Sequence, residues 1–299
     1  MLNVYEQVDA NKRRSALIIF LFIGFITLVA YILGRASGYG ASWIGLALIF
    51  SGLMSLGSYY YGDKIILGIS RARPADRKQD FNFYTVTQNL CLATRQPLPQ
   101  LYVIDDTAPN AFATGRDPQH AVICATTGLL AKLDRTELEG VIAHELSHIQ
   151  NYDTRLMAIV TILVGLVTLL ADWFLRSMFW GRSRHDNDRG NNQLQLIFFV
   201  LGLVLALLSP LIAQLIQLAI SRRREFLADA SGVKITRFPD GLARALAKIS
   251  KDSEPLEAAN KATAHLYIVN PFKKKAFLTN LFNTHPPVAE RIKALHEMV

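Results

Sequence analysis

Two histidines and a glutamate stand in the order His144-Glu145-Leu146-Ser147-His148. On a helix, positions i and i+4 share a face, so both imidazoles can reach one ion with the Glu145 carboxylate beside it. That is the arrangement of a zinc hydrolase, in which the ion lowers the pKa of a bound water and the carboxylate accepts its proton. With 7 His in 299 residues, chance supplies this pattern in only about 0.5% of such chains. A third ligand must come from elsewhere. Glu225 and Asp229, again i and i+4, offer a ligand plus a carboxylate that orients a histidine ring. The same pair also reads as a solvated acidic match to Arg222-Arg223-Arg224, and spacing alone leaves both readings open.

These residues need elements to hold them. Asp134 or Thr136 can cap a helix, and Thr136-x-x-Glu139 has the form of a capping box. Leu138, Val141, Ile142, Leu146 and Ile149 then recur at helical spacing and predict a buried side for the metal helix. Upstream, residues 81–92 read as an amphipathic helix, and 101–104 and 121–126 as strands. Such strands build a core, and an exposed edge among them can accept an extended peptide through its backbone. Downstream, 241–250 carries an apolar stripe, and 288–298 is a last helix containing Arg291. His285, between Thr284 and Pro286-Pro287, sits on a constrained loop that serves equally as a plain turn or as a mount aimed at a reaction centre.

Four apolar runs frame this soluble-looking material. Residues 15–34 and 41–61 are free of charge, and about 20 such residues cross a bilayer core of about 30 Å. They predict a hairpin. Lys12, Arg13 and Arg14 before it, and Lys64, Arg71, Arg73, Arg77 and Lys78 after it, put the termini on the cytoplasmic side. Residues 156–171 form a shorter run that a tilted span, a re-entrant segment or a buried helix would explain. Residues 194–220 are again uncharged and contain Pro210. They lead without a turn signal into Arg222-Arg223-Arg224-Glu225, so one helix could leave the membrane, be anchored by three surface arginines and lift Glu225 to the ion. The net charge of +8 gathers beside these runs, which fits anionic lipid and argues against nucleic acid. Cys91 and Cys124 lie in no ligand spacing and read as free core thiols.

Taken together, Asn110-Ala111-Phe112-Ala113, His144-Glu145-x-x-His148, Glu225-Phe226-Leu227-Ala228-Asp229, Thr284-His285-Pro286 and the placing of the apolar runs resemble the HtpX family of membrane-bound zinc endopeptidases. That family is related to the CAAX prenyl endopeptidases. The resemblance covers nearly the whole chain. It implies a mainly α fold with a small β-sheet, combining integral membrane helices with a gluzincin-type zinc metalloprotease domain. The corresponding division is a transmembrane hairpin at 1–61, a first cytoplasmic part at 62–155, a second hydrophobic helical pair at 156–220 and a second protease part at 221–299. It implies one zinc ion per chain, held by His144, His148 and Glu225, with Glu145 as general base and Asp229 orienting a ligand. His285 would stabilise the tetrahedral intermediate, and Asn110, Ala111, Phe112, Ala113 and Arg291 would serve substrate binding. The expected role is quality control at the bacterial inner membrane, with the site facing the cytoplasm and damaged membrane proteins or unfolded polypeptides as substrates. Two rivals stand beside it. One is a dedicated CAAX-type processing protease, and the other a non-catalytic scaffold or transporter with structural zinc.

Overall fold

The computed structural model describes residues 4–36, 42–163, 165, 222–259, 263–271 and 286–298. The run 194–220, most of the run 156–171 past residue 163, the loop 176–192 and His285 therefore lie outside the described residues. Helices α1 (Val4–Ala36) and α2 (Ser42–Ile69) pack against each other at the N-terminus. After them come β1 (Arg73–Pro74), α3 (Phe81–Thr94), β2 (Gln100–Ile104), β3 (Ala111–Gly115), β4 (Ala121–Thr126), α4 (Thr127–Lys132) and α5 (Arg135–Gln150). A helical stretch at 153–163 precedes α6 (Arg222–Thr236), α7 (Pro239–Lys251) and α8 (Val288–His296).

The four strands form a mixed sheet in the order β1-β2-β4-β3. β2 and β4 run parallel, while β1 on β2 and β3 on β4 are antiparallel. Strand side chains alternate between faces, and here both faces are covered. Leu101, Val103, Ala111, Ala113, Ile123 and Ala125 enter a core shared with α3, α5, α7 and α8. Ile104, Phe112, Val122 and Cys124 enter a second core with Ile18 and Phe22 of α1, Ile66 and Leu67 of α2, and Leu156 to Leu163. The sheet is thus the partition between the helices that carry the candidate metal ligands and the N-terminal pair.

Among the described residues, no helix is long and apolar enough to cross a membrane. The expected transmembrane hairpin at 1–61 is thus not shown by the described residues. α1 and α2 nonetheless leave large apolar side chains in the open, with Phe20 73% exposed and Leu53 63% exposed.

The metal helix starts two residues before the point where Thr136-x-x-Glu139 would begin it. Asp134 is the cap, accepting from Glu137 N while the Glu137 carboxylate accepts from Asp134 N. Thr136 lies inside the first turn and gives its hydroxyl proton to Asp134 Oδ1 at 2.6 Å. A carboxylate is favoured at this end because the unpaired N–H groups and the helix dipole both attract negative charge. Buried Glu137 also takes Lys248 of α7 at 2.7 Å, fixing α7 against the start of α5. The two helices can approach this closely because position 140 is glycine. A Cβ there would stand 2.7 Å from Leu242 N.

Candidate metal centre

α5 buries almost its whole second half, including His144, Glu145 and His148. Its charged and polar side chains must therefore find partners inside the protein. α6 packs across it at Gly232, where a Cβ would meet His144 N at 3.1 Å. That contact sets Asp229 and Glu225, about one and two turns earlier on α6, level with the histidines. His144, His148 and Glu225 each offer a ligand atom, all within 4.8 Å of one another. The two Nε2 atoms are 3.1 Å apart, and Glu225 oxygens lie 3.8 Å from His144 Nε2 and 3.6 Å from His148 Nε2.

Both histidines are turned by carboxylates on their far side. His144 Nδ1 is 2.9 Å from Asp229 Oδ1, and His148 Nδ1 is 3.0 Å from Asp153 Oδ2. A carboxylate at Nδ1 holds the ring proton there and leaves the Nε2 lone pair facing its neighbour. Two lone pairs and a buried carboxylate then converge, a set of electron-pair donors that favours a cation between them. Tetrahedral zinc with bonds of about 2.0–2.1 Å to nitrogen sets two ligand nitrogens about 3.3 Å apart, close to the spacing found. The donor set fits a zinc ion of the kind the sequence implies.

Each orienting carboxylate is held in turn. Arg291 is fully buried and donates to both oxygens of Asp229, Nε to Oδ2 at 2.8 Å and Nη2 to Oδ1 at 2.6 Å. Its Nη1 donates to Ile268 O at 3.0 Å and lies 3.4 Å from Glu225 Oε2. Asp153 is held by Arg224 at 3.3 Å and by Asn11 at 2.7 Å. Asp153 follows a turn through Tyr152, whose φ of 59° is a left-handed conformation that costs a residue with a Cβ about 1 kcal/mol or more. Lys12 and Arg155 sit over the Tyr152 ring at 4.6 and 5.0 Å.

Electrostatics follow from this packing. Burial lowers the His144 pKa, with Arg291 and His148 adding to the effect against Asp229. Burial acts the same way on His148, but Asp153, Glu225 and Glu145 outweigh it and raise its pKa to about 9. Asp229 would be raised by burial, yet Arg291 and His144 bring it below the usual carboxylate range.

The remaining residues singled out in the sequence fall as follows. Glu145 is buried on α5, near enough to His148 and Arg291 to raise both. Ala111, Phe112 and Ala113 lie on β3, at the edge of the sheet next to α5. Ala111 O accepts from Ile268 N at 3.0 Å, and Asn110 Nδ2 donates to Val269 O at 2.9 Å, so segment 267–269 lies along the start of that edge. In this register the backbone of Ala113 points the same way as that of Ala111, and among the described residues no backbone group pairs with it there. Phe112 points to the opposite face, edge-on to Tyr267. Arg291, expected with the substrate-binding residues, is instead engaged by Asp229 and the Ile268 carbonyl. Arg224 departs from the expected surface anchor: Arg222 and Arg223 are exposed, but Arg224 turns inward to Asp153. Cys91 and Cys124 are free and buried.

Sequence reasoning passed over Asp153 and Asn11. The polar triplet Asn151-Tyr152-Asp153 at the end of the metal helix was the available signal for the first, and nothing local marks the second.

Residues 79–299 match the family model described as Peptidase family M48. The Protease HtpX homolog of Dictyoglomus thermophilum is 43% identical over 294 residues, covering 98% of this chain and 94% of that one. The Protease HtpX homolog of Caldanaerobacter subterraneus subsp. tengcongensis is 44% identical over 295 residues, covering 99% and 98%. That of Streptococcus uberis is 39% identical over 300 residues, covering 99% and 100%. A crystal structure of S. mikatae Ste24p is matched at 18% identity with a TM-score of 0.47, over 97% of this chain and 67% of that one, a likeness too loose to carry structural inference.

Proposed function

The chain belongs to peptidase family M48 and is a metalloprotease, and from that premise we propose that it is a zinc-dependent endopeptidase held at a membrane, cutting misfolded or damaged membrane proteins. The observation that carries the chemistry is the convergence of His144, His148 and Glu225 with Glu145 beside them. His144, His148 and Glu225 would hold the ion. When bound, zinc supplies Lewis acidity and makes a water acidic enough to attack at neutral pH. The chain's own residues do the rest. Asp229 and Asp153 keep both imidazoles in the ligating tautomer, and Arg291 and Arg224 hold those carboxylates in place. Glu145 takes a proton as water adds to the scissile carbonyl carbon, then returns it to the amine nitrogen as the C–N bond breaks. The outward backbone of β3 at Ala113 offers an extended substrate a strand to pair with. His285 keeps the role that the resemblance gives it, a donor to the developing oxyanion.

Attachment to a membrane is supported by the uncharged runs 15–34 and 41–61 and by the exposed apolar side chains of α1 and α2. Leu17, Phe20, Leu46, Ile49, Phe50 and Leu53 are each at least half exposed. At about 1.5–3 kcal/mol for each such side chain fully buried, leaving them in water forgoes on the order of 10 kcal/mol. Lys12, Arg13, Arg14, Arg222 and Arg223 flank the runs where anionic headgroups would lie. The orientation follows from the same charges: multi-pass in the bacterial inner membrane, with the site on the cytoplasmic side.

Two measurements test this reading. In detergent, phenanthroline should abolish cleavage of an unfolded protein substrate, and added zinc should restore it. The chain should stay in the pellet when membranes are washed at alkaline pH. Cleavage indifferent to phenanthroline would overturn the chemistry, and release into the supernatant would overturn the membrane attachment.

A further inference from the structure

The N-terminal helix reaches the metal ligands through one side chain. Asn11 lies just before the uncharged run 15–34 and is only 2% exposed. Its Nδ2 donates to Asn151 O at 2.9 Å and to Asp153 Oδ1 at 2.7 Å. Its Oδ1 accepts from Arg224 Nη1 at 3.4 Å. The other oxygen of Asp153 faces His148 Nδ1 at 3.0 Å. Three side chains, Asn11, Asp153 and His148, thus lead from α1 to a metal ligand. Arg224, the neighbour of Glu225 on α6, closes the group from the other side.

An amide is the side chain these partners require. Asn151 O and Asp153 Oδ1 are acceptors and need donors, while Arg224 is a donor and needs an acceptor. Asparagine carries both kinds of atom at one short reach. A carboxylate at position 11 would set an anion against Asp153, and a leucine would deprive two buried acceptors of a donor. The bond to Asn151 O also pins the end of α5 at the point where the chain turns through left-handed Tyr152 to deliver Asp153.

We infer that Asn11 is a positioning residue of the metal centre. Through Asp153 it fixes the orientation of His148, and through Arg224 it steadies the start of the helix that carries Glu225. The anchoring helix and the ligand set therefore form one unit, and displacing α1 loosens the grip on the metal. This rests on the metalloprotease reading above and adds to it a dependence of the centre on the N-terminal helix.

The full chain in detergent tests it with Asn11→Leu, and with Ser15→Ala as the control. Ser15 is also buried on α1 and its hydroxyl donates to Asn11 O at 2.9 Å, but it makes no bond to Asp153. Zinc affinity is read by chelator competition, and ligand geometry by the visible bands of the cobalt-substituted protein. Groups that orient a metal's ligands change affinity by about 10- to 100-fold when replaced. Asn11, one bond further out, should cost about tenfold and shift the cobalt bands, while Ser15→Ala stays within about twofold of wild type. If Asn11→Leu does not accumulate folded protein, Asn11→Ser retains a short donor and should give a partial loss in the same two readouts. Zinc affinity and cobalt bands unchanged in the Asn11 variants would overturn the inference alone. A wild-type chain that binds no zinc would overturn the metalloprotease reading, and this inference with it.

Discussion

Arg291→Met keeps the length of a buried side chain and deletes its charge. In the folded protein Arg291 is 0% exposed and spans both oxygens of Asp229 at 2.8 and 2.6 Å. The variant leaves Asp229 buried with His144 Nδ1 at 2.9 Å and no guanidinium opposite it. Removing one member of a buried, hydrogen-bonded ion pair costs about 3–5 kcal/mol, because the remaining charge has lost its compensation. In a chain this long, 1 kcal/mol moves the melting midpoint by about 2–4 °C, so the metal-free variant should melt on the order of 10 °C below wild type. Saturating zinc should narrow the gap. Glu225 lies 3.4 Å from the same guanidinium, and a divalent cation restores positive charge to the cluster while stabilising the folded state by its binding energy. Adding Asp229→Asn should recover part of the loss by neutralising the stranded carboxylate. The assay is thermal unfolding in detergent, followed by tryptophan fluorescence with chelator and with zinc. A metal-free midpoint within about 2 °C of wild type would refute the charge argument, as would an equal loss with and without zinc.

Zinc affinity should rise by about tenfold per pH unit from pH 6 toward about 9 and then level off, because the metal must displace the proton that His148 holds up to about 9; chelator competition across that range checks the sign. Gly140→Ala should destabilise, since its Cβ would stand 2.7 Å from Leu242 N; overpacking of about 1–3 kcal/mol outweighs a helix-propensity gain of about 1 kcal/mol, and the melting midpoint reads the balance. Gly232→Val should weaken zinc binding, read by chelator competition, without replacing a ligand side chain, by pushing α6 off the His144 backbone. His285→Ala should keep zinc and lower kcat by about 100- to 1,000-fold if its side chain serves the oxyanion, as measured by peptide turnover.

What could be read from the sequence was whatever helix and strand geometry decide locally. The spacing of His144 and His148 fixes their common face, and that of Glu225 and Asp229 does the same on α6. The strands at 101–104 and 121–126 and the helices around 81–92, 241–250 and 288–298 appear with shifts of a few residues at most. Asp134 and Thr136 both suit the cap of α5, and the charge on Asp134 decides between them, so the capping box runs from Asp134 to Glu137 and not from Thr136 to Glu139. Asp153, Asn11 and Arg224 were not legible for a different reason. Asn11 and Asp153 are 142 positions apart, and no period relates them. Arg224 sits in a triplet of arginines that reads as surface, and only a carboxylate brought up from the end of α5 draws it inside. Nothing in the sequence marks the pairing of Arg291 with Asp229, 62 positions away.

The central claim, that Glu145 works beside an ion held by His144, His148 and Glu225, is tested most directly by zinc content and peptide cleavage measured together on wild type, Glu145→Gln and His148→Ala. Wild type should carry one zinc per chain and cleave. Glu145→Gln should carry the same zinc with turnover lowered by at least about 100-fold, and His148→Ala should lose both. A Glu145→Gln protein that cleaves at the wild-type rate would contradict the account.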